Sequence, residues 1–178
     1  RFQAICLAQL MPERILSFSV WGRNFAAAQN LAHELSSQKL TVKAVVGLED
    51  AVSSADIIIT TTPAVSPLFA HGLVSSGTHV TAIGADSPGK QELPVGLVIS
   101  ASLRVCDLLG QSLDHGEFQT AKRADPSLDV TELGHILSGM HSGRRSKDDI
   151  TVVDLTGIAA QDIAITQAII DAAASKKT

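Results

Sequence analysis

The stretch Ser54-Ala55-Asp56-Ile57-Ile58-Ile59-Thr60-Thr61-Thr62-Pro63 decides the fold class of this chain. It joins a nearly continuous apolar run, Asp56–Thr60, to a second and third threonine and a proline. A run without polar alternation is typical of a strand that is covered on both faces by helices, as in a parallel sheet. The stretch therefore predicts a buried strand, Asp56–Thr60, in an α/β fold. Thr61 and Thr62 directly follow the strand.

The rest of the chain alternates strand and helix patterns around that run. The predicted strands are Ile15–Trp21, Thr41–Val46, Asp56–Thr60, Thr78–Ile83, Leu103–Leu108 and Ile150–Leu155. The predicted helices are Arg1–Met11, Phe25–Leu35 with Asn24 as its cap, Leu48–Ser54, Leu113–Lys122, Val130–Met140 and Gln161–Ala174. This alternation predicts a doubly wound, mainly parallel sheet. No repeat or linker interrupts the pattern, so we expect residues 1–178 to form one domain.

Composition narrows the classes of function. The 178 residues carry 14 basic and 18 acidic side chains, and the net charge of -4 argues against a general nucleic-acid or membrane-surface binder. No apolar run approaches the roughly 18 residues of a spanning helix, and the first residues do not resemble a signal peptide. We therefore expect a cytoplasmic protein with no nucleic-acid or membrane partner. The six histidines show no ligand spacing and no nucleophile elbow is present, so we expect no metal.

The loop that follows the strand Thr78–Ile83 holds the densest cluster of special residues. Gly84–Lys90 spells G-x-x-x-x-G-K, most of a phosphate-binding loop, but Gln91 stands where a Ser or Thr would hold magnesium. Pro94 also disfavours the long helix that should follow. Two interpretations stay open: a tight turn in which Asp86 caps its neighbours, or a functional loop that presents Asp86 to a ligand. The density of special residues favours the second.

Two further segments indicate a dinucleotide. Gly22-Arg23-Asn24 follows a predicted strand, where an acid would bind the ribose 2′-hydroxyl of NAD and an Arg would accommodate the 2′-phosphate of NADP. The acid is missing, and Arg23 is a planar donor that suits phosphate, which favours NADP over NAD. An exposed Arg after a strand is also common on structural grounds. The hydroxyls of Thr60–Thr62 would either simply end a strand or contact the sugar or phosphate of a cofactor.

Five segments of the chain resemble one known family. They are Ser54–Pro63, Gly77–Leu93, Gly116-Glu117, Glu132-Leu133-Gly134 and Thr156–Asp162. Their order and spacing are similar to those of the ornithine cyclodeaminase and mu-crystallin family, and the resemblance extends over nearly the whole chain. Gly84–Leu93 is its specific signature, far stronger than any single glycine pattern.

The resemblance implies a Rossmann-type domain that binds NADP or NAD within a polypeptide about twice as long. The family's first strand, its Gly-rich turn and the part that forms the dimer and grips the substrate would lie outside this chain. Asp86 would be the catalytic carboxylate, its pKa tuned by partial burial, and Lys90 a cofactor contact. The remaining positions implied to line the dinucleotide are Thr60, Val80, Thr81, Ala82, Ile83 and Thr156.

The resemblance leaves three functions open. The leading one is an NAD(P)H-dependent reductase that transfers hydride to the imine carbon of an imino acid, such as the cyclic ketimine pyrroline-2-carboxylate, or acts like an alanine dehydrogenase. The second is an ornithine cyclodeaminase, a lyase that uses bound NAD, releases ammonia and forms proline. The third is a cofactor-binding, non-catalytic crystallin-like protein, against which the presence of Asp86 argues. The expected partners are a small imino or amino acid and a second copy of the chain.

Overall fold

The computed structural model describes residues 1–15, 17–38 and 40–175. Within it the chain forms two compact units, Arg1–Ser54 and Ala55–Thr178. Both units are built from helices and parallel strands. The predicted α/β class with a parallel sheet is therefore confirmed.

The first unit is a small α/β element with two paired strands. Its elements are α1 (Phe2–Leu10), β1 (Phe18–Val20), α2 (Phe25–Ser37), β2 (Val42–Ala44) and α3 (Leu48–Ser53). Strands β1 and β2 run parallel, with Phe18 opposite Val42. The predicted cap is confirmed, because the Asn24 side chain accepts a hydrogen bond of 3.2 Å from the Ala27 N–H. Leu16, in the predicted strand Ile15–Trp21, lies outside the described residues.

The second unit carries the larger sheet. Its elements are β3 (Ile57–Thr60), a 3-10 helix (His71–Leu73), β4 (His79–Ala82), α4 (Val95–Ser100), β5 (Leu103–Cys106), α5 (Leu109–His115), α6 (Phe118–Ala124), β6 (Thr131–Glu132), α7 (Leu133–Leu137), β7 (Thr151–Asp154) and α8 (Ala159–Ser175). The strand order is β3-β4-β7-β5-β6 and all neighbours are parallel. Because the strands are parallel, their carboxyl ends meet at one edge of the sheet, which we call the carboxyl edge.

Burial along the strands explains which predictions of strand position succeeded. Val80 and Ala82 of β4 are fully buried, whereas their neighbours on the strand are half-buried. In β3, Ile58 and Thr60 are buried and the two alternating isoleucines are half-buried. The continuous apolar run thus predicted the strand correctly, but only one of its faces is fully covered within the described residues.

One predicted helix, Leu113–Lys122, is wrong because the structure breaks it into α5 and α6. The break falls at Gly116, where an added Cβ would overlap the Asp154 carboxylate and the Ser112 backbone. The next amide, that of Glu117, donates a 3.0 Å hydrogen bond to Asp154 on β7. At that point the Glu117 N–H bonds to Asp154 on β7, a residue distant in sequence, and the helix is interrupted.

Two other elements differ from the sequence expectation. The predicted helix Val130–Met140 begins instead as strand β6, which pairs with β5 through Thr131 and Val105, and only Leu133–Leu137 is helical. Helix α4 was not predicted. It is six residues long and starts directly after Pro94, whose fixed φ is compatible with a helix start. In the part of the chain that the structure describes, no helix combines the length and apolarity needed to cross a membrane.

Candidate functional site

The carboxyl edge of the second unit gathers most of the residues that the sequence singled out. Thr60–Thr62 end β3, Gly84–Lys90 follow β4, and Thr156 follows β7. The edge also carries Asp107, which follows β5. Arg23 belongs to the first unit, where it lies exposed between β1 and α2 with Asn24.

Asp86 lies on the exposed part of the Gly84–Lys90 loop. Its carboxylate accepts a 2.5 Å hydrogen bond from Lys90 Nζ and a 3.1 Å bond from Ser87 Oγ. Its side chain is 54% exposed, and hydrogen bonds rather than the expected burial dominate its pKa. The hydrogen bond from Lys90, then that from Ser87, lowers the pKa of Asp86 below its ordinary value. The geometry therefore holds Asp86 as an ionised carboxylate beside a cation.

The three threonines at the end of β3 have different surroundings. Thr60 is buried, and its hydroxyl donates a 2.7 Å hydrogen bond to the Glu92 carboxylate. The Thr62 N–H donates a 2.5 Å bond to the same carboxylate. Thr61 is the exposed member of the three. A ligand at this edge would therefore meet the Thr61 side chain, whereas the hydroxyl proton of Thr60 is engaged inside the protein.

The segment Val80–Ile83 presents two kinds of residue. Val80 and Ala82 have no exposed surface, so neither residue presents side chain or backbone to a ligand. Thr81 and Ile83 are half-buried on the alternate positions. The Thr81 hydroxyl lies 3.1 Å from His79 Nε2, and burial lowers the pKa of His79.

Asp107 fixes the loop after β7. The Thr156 hydroxyl donates a 3.0 Å hydrogen bond to one oxygen of Asp107, and the Gly157 N–H donates a 2.7 Å bond to the other. Gly157 has a φ of +87°, a left-handed conformation that favours glycine. Asp107 was not predicted as a site residue, because it fell inside the predicted strand Leu103–Leu108, whereas β5 ends at Cys106.

Three further carboxylates beside this edge are buried. Glu92, Glu117 and Asp154 have between 0 and 1% of their surface exposed. Burial raises the pKa of Glu117 to about 8 and that of Asp154 to about 6. Glu92 and Glu117 lie in segments that carry the family resemblance, but no local pattern predicts a role for either residue.

Two features of the Gly84–Lys90 loop argue against a phosphate cradle. A Cβ at Gly84 would overlap the Thr62 carbonyl oxygen and the Glu92 carboxylate, so that glycine is required by packing. The Lys90 ammonium is paired with Asp86. Among residues 1–15, 17–38 and 40–175, no group of three or more His, Cys, Asp or Glu side chains is arranged to hold a metal ion.

Comparison with known proteins identifies the family. The family model for the ornithine cyclodeaminase/mu-crystallin family matches residues 1–177. The chain belongs to this family. Two curated members are similar to it in sequence: an alanine dehydrogenase of Archaeoglobus fulgidus, 40% identical over 127 residues, and a Delta(1)-pyrroline-2-carboxylate reductase of Bacillus cereus, 38% identical over 120 residues. These alignments cover 70% and 65% of this chain.

Two solved structures of the family superpose on nearly the whole chain. One is an archaeal alanine dehydrogenase dimer with bound NAD, with a TM-score of 0.89 and 31% identity over 99% of this chain. The other is the iminosuccinate reductase of Paracoccus denitrificans in complex with NAD⁺, with a TM-score of 0.88 and 33% identity over 99% of this chain. The Rossmann-like fold expected from the sequence is thereby confirmed.

The chain spans only part of the length of these family members. It covers 39% of the Archaeoglobus alanine dehydrogenase and 37% of the Bacillus reductase by sequence. It covers 55% and 54% of the two solved chains. The residues described above therefore correspond to about half of the structures that they match.

Proposed function

We propose that the whole protein carrying this chain is an NAD(P)H-dependent reductase of imino acids, which adds hydride to the imine carbon of a cyclic ketimine or of a linear imino acid. The observation that carries the proposal is the exposed Asp86–Lys90 pair at the carboxyl edge of a parallel sheet. Family members similar to this chain are named alanine dehydrogenase, pyrroline-2-carboxylate reductase and iminosuccinate reductase. All three names describe chemistry at a carbon bonded to nitrogen.

The residues at the carboxyl edge fit a nicotinamide cofactor. Thr61 is exposed there, and Thr156 is held by Asp107 beside the backbone of Gly157. Hydroxyl and backbone groups of this kind match the donors and acceptors of ribose and carboxamide. When bound, the reduced nicotinamide would supply the hydride that converts the imine to the amine.

Asp86 is proposed as the catalytic carboxylate. An ionised carboxylate beside the imine nitrogen favours the protonated, iminium form, whose carbon accepts hydride more readily than that of the neutral imine. Asp86 is exposed and held in its ionised form by Lys90 and Ser87, so this electrostatic role suits it directly. Lys90 orients that carboxylate through its hydrogen bond, and Lys90 is also proposed as a cofactor contact.

NADP is the proposed cofactor in preference to NAD. Arg23 is exposed after β1, where an arginine accommodates a 2′-phosphate, and the residue before it is Gly22 rather than an acid. Asn24 is also proposed to line this position through its backbone, because its side-chain oxygen caps α2. The similar structures named above hold NAD or NAD⁺, so the choice is open to direct measurement.

The cyclodeaminase lyase is the second candidate, favoured by the family match itself. A lyase that recycles bound NAD consumes no NADPH, so the two candidates differ in net cofactor oxidation. A non-catalytic, crystallin-like role is the third candidate function, and it requires that Asp86 has no catalytic role. We also propose that the two units belong to one dinucleotide-binding domain of a cytoplasmic homodimer that assembles through residues outside this chain.

One assay separates these candidates. The full-length protein is incubated with NADPH or NADH and, in turn, with pyrroline-2-carboxylate, piperideine-2-carboxylate, pyruvate with ammonia, and ornithine with NAD. The proposal expects loss of nicotinamide absorbance at 340 nm with at least one imine. Formation of proline from ornithine without a net change in absorbance would contradict the reductase proposal and support the cyclodeaminase lyase. Binding of the cofactor without turnover of any of these substrates would support the non-catalytic, crystallin-like role instead.

A further inference from the structure

Glu92, Glu117 and Asp154 are buried without a cation. In the described part of the chain, none of the three forms an ion pair with Lys, Arg or His. A buried carboxylate is costly unless hydrogen-bond donors surround it. The donors here come largely from the backbone, so these side chains serve to hold particular segments in place.

The three carboxylates are connected one to the next. Asp154, at the end of β7, accepts hydrogen bonds from the Ser112 hydroxyl and from the backbone N–H of Glu117. The Glu117 carboxylate in turn accepts bonds from the backbone N–H groups of Glu92 and Leu93. Each acid thus fixes the main chain that carries the next acid.

Glu92 ends this chain of contacts at two strand ends. One of its oxygens accepts from the Thr60 hydroxyl at 2.7 Å and from the Gly84 N–H at 2.9 Å, and the other accepts from the Thr62 N–H at 2.5 Å. The close approach of Gly84 leaves no room for a Cβ. A single carboxylate therefore ties the end of β3 to the first residue of the loop that carries Asp86.

The far end of that loop is held separately. Gln119 on α6 accepts a 3.2 Å hydrogen bond from the Gly89 N–H and donates one of 3.2 Å to the Lys90 carbonyl oxygen. Asp86 is exposed between the two anchored ends. The loop is therefore fixed at Gly84 and at Gly89–Lys90 while its carboxylate remains accessible.

We infer that Glu92 is a positioning residue for the reaction, with Glu117 holding its backbone, and that this buried pair sets the distance between Asp86 and the Thr60–Thr62 segment. The inference rests on the proposed function, because it assigns Asp86 to the reacting edge. Displacement of a reacting group by about 1 Å can reduce turnover about a hundredfold. Loss of the Glu92 contacts should therefore lower kcat more than it changes binding.

The test compares Glu92→Gln with Asp149→Asn in the full-length protein. Glutamine keeps the size of the side chain and one acceptor oxygen, but its amide N–H₂ group must face one of the three donors. Asp149 is the matched control, because it also accepts two backbone N–H bonds, from Arg145 and Ser146, in the loop before β7. Kinetics are measured well below the melting temperature of each variant, and folding is checked by the cooperativity of the melt.

We expect Glu92→Gln to lower kcat by about 10- to 100-fold, with KM for the imine and Kd for NADPH changed by less than about fivefold. Asp149→Asn should keep its kcat within about twofold. Amide hydrogen exchange at Thr62 and Gly84 should be faster in Glu92→Gln than in the wild type, and unchanged in Asp149→Asn. Glu92→Asp, which retains the charge with a shorter reach, should recover part of the lost kcat.

An unchanged kcat in folded Glu92→Gln would overturn the positioning role. If Glu92→Gln is too unstable to assay, Glu117→Gln takes its place, because Glu117 holds the backbone of Glu92 and Leu93. An unchanged kcat in that folded variant overturns the inference. If the wild-type protein reduces none of the imines, the proposed function fails. The inference would then fail too if amide exchange at Thr62 and Gly84 in Glu92→Gln matched that of the wild type.

Discussion

The buried Glu117 carboxyl should make the stability of the protein fall as the pH rises from 5 to 8. Burial raises the pKa of Glu117 to about 8, against 4.5 for the free side chain. Between these values the folded state binds more protons than the unfolded state, so the free energy of unfolding decreases with pH. The stabilisation is fully present below pH 4.5 and is lost as the pH approaches 8. At 1.36 kcal/mol for each pKa unit, the three pH units from 5 to 8 correspond to about 4 kcal/mol.

Glu117→Gln isolates this effect, because glutamine does not titrate. At pH 5 the variant should be about 1–3 kcal/mol less stable than the wild type, since one of the Glu92 and Leu93 amides would face an N–H₂ group. At pH 8 the difference should vanish or reverse. Urea unfolding at pH 5, 6, 7 and 8 measures both curves. Asp149→Asn is the control: hydrogen bonds from Ser146 and Arg145 lower the pKa of Asp149, so that residue stays ionised throughout this range. Parallel curves for the wild type and Glu117→Gln would refute the reasoning.

Two other predictions concern the cofactor and the packing. Arg23→Ala should reduce the preference for NADPH over NADH by about 10- to 100-fold, because a charge-assisted contact to phosphate contributes about 1.5–3 kcal/mol. Equal affinities of the wild-type protein for NADPH and NADH in a fluorescence titration would exclude the NADP assignment. Gly116→Ala should destabilise by about 1–3 kcal/mol, since its Cβ would overlap Asp154, Ser112 and Thr156. Thermal melts measure the stability of this variant and of its control, Gly110→Ala. Nothing lies within 4 Å of the Cβ added at Gly110, so this substitution should leave the stability unchanged or raise it.

The sequence predicted those parts of the fold that depend on local pattern. The apolar run Asp56–Thr60 became β3, and Asn24 caps α2 as expected. Hydrophobic periodicity and capping preferences act over a few residues, so a single sequence reveals them. The family resemblance also singled out the segment Gly84–Leu93, whose role in the reaction stays a prediction.

The missed features depend on contacts between distant residues. Glu92 meets Thr60, which is 32 positions away, and Glu117 meets Glu92, which is 25 positions away. The break between α5 and α6 depends on the contact of Gly116 with Asp154 across 38 positions. No local pattern encodes these pairings. The cause of the pKa shift of Asp86 also differs from the expectation, because hydrogen bonds from Lys90 and Ser87 outweigh burial.

The most direct test of the account is turnover by Asp86→Asn in the full-length protein. With pyrroline-2-carboxylate and NADPH, we expect kcat to fall by roughly 10²–10⁴, with Kd for NADPH within a few-fold of the wild type. Asp125→Asn is the matched control, because hydrogen bonds from Ser127 likewise lower the pKa of Asp125, which follows α6 away from the carboxyl edge. An Asp86→Asn enzyme that turns over as fast as the wild type would contradict the assignment of this edge as the reacting site.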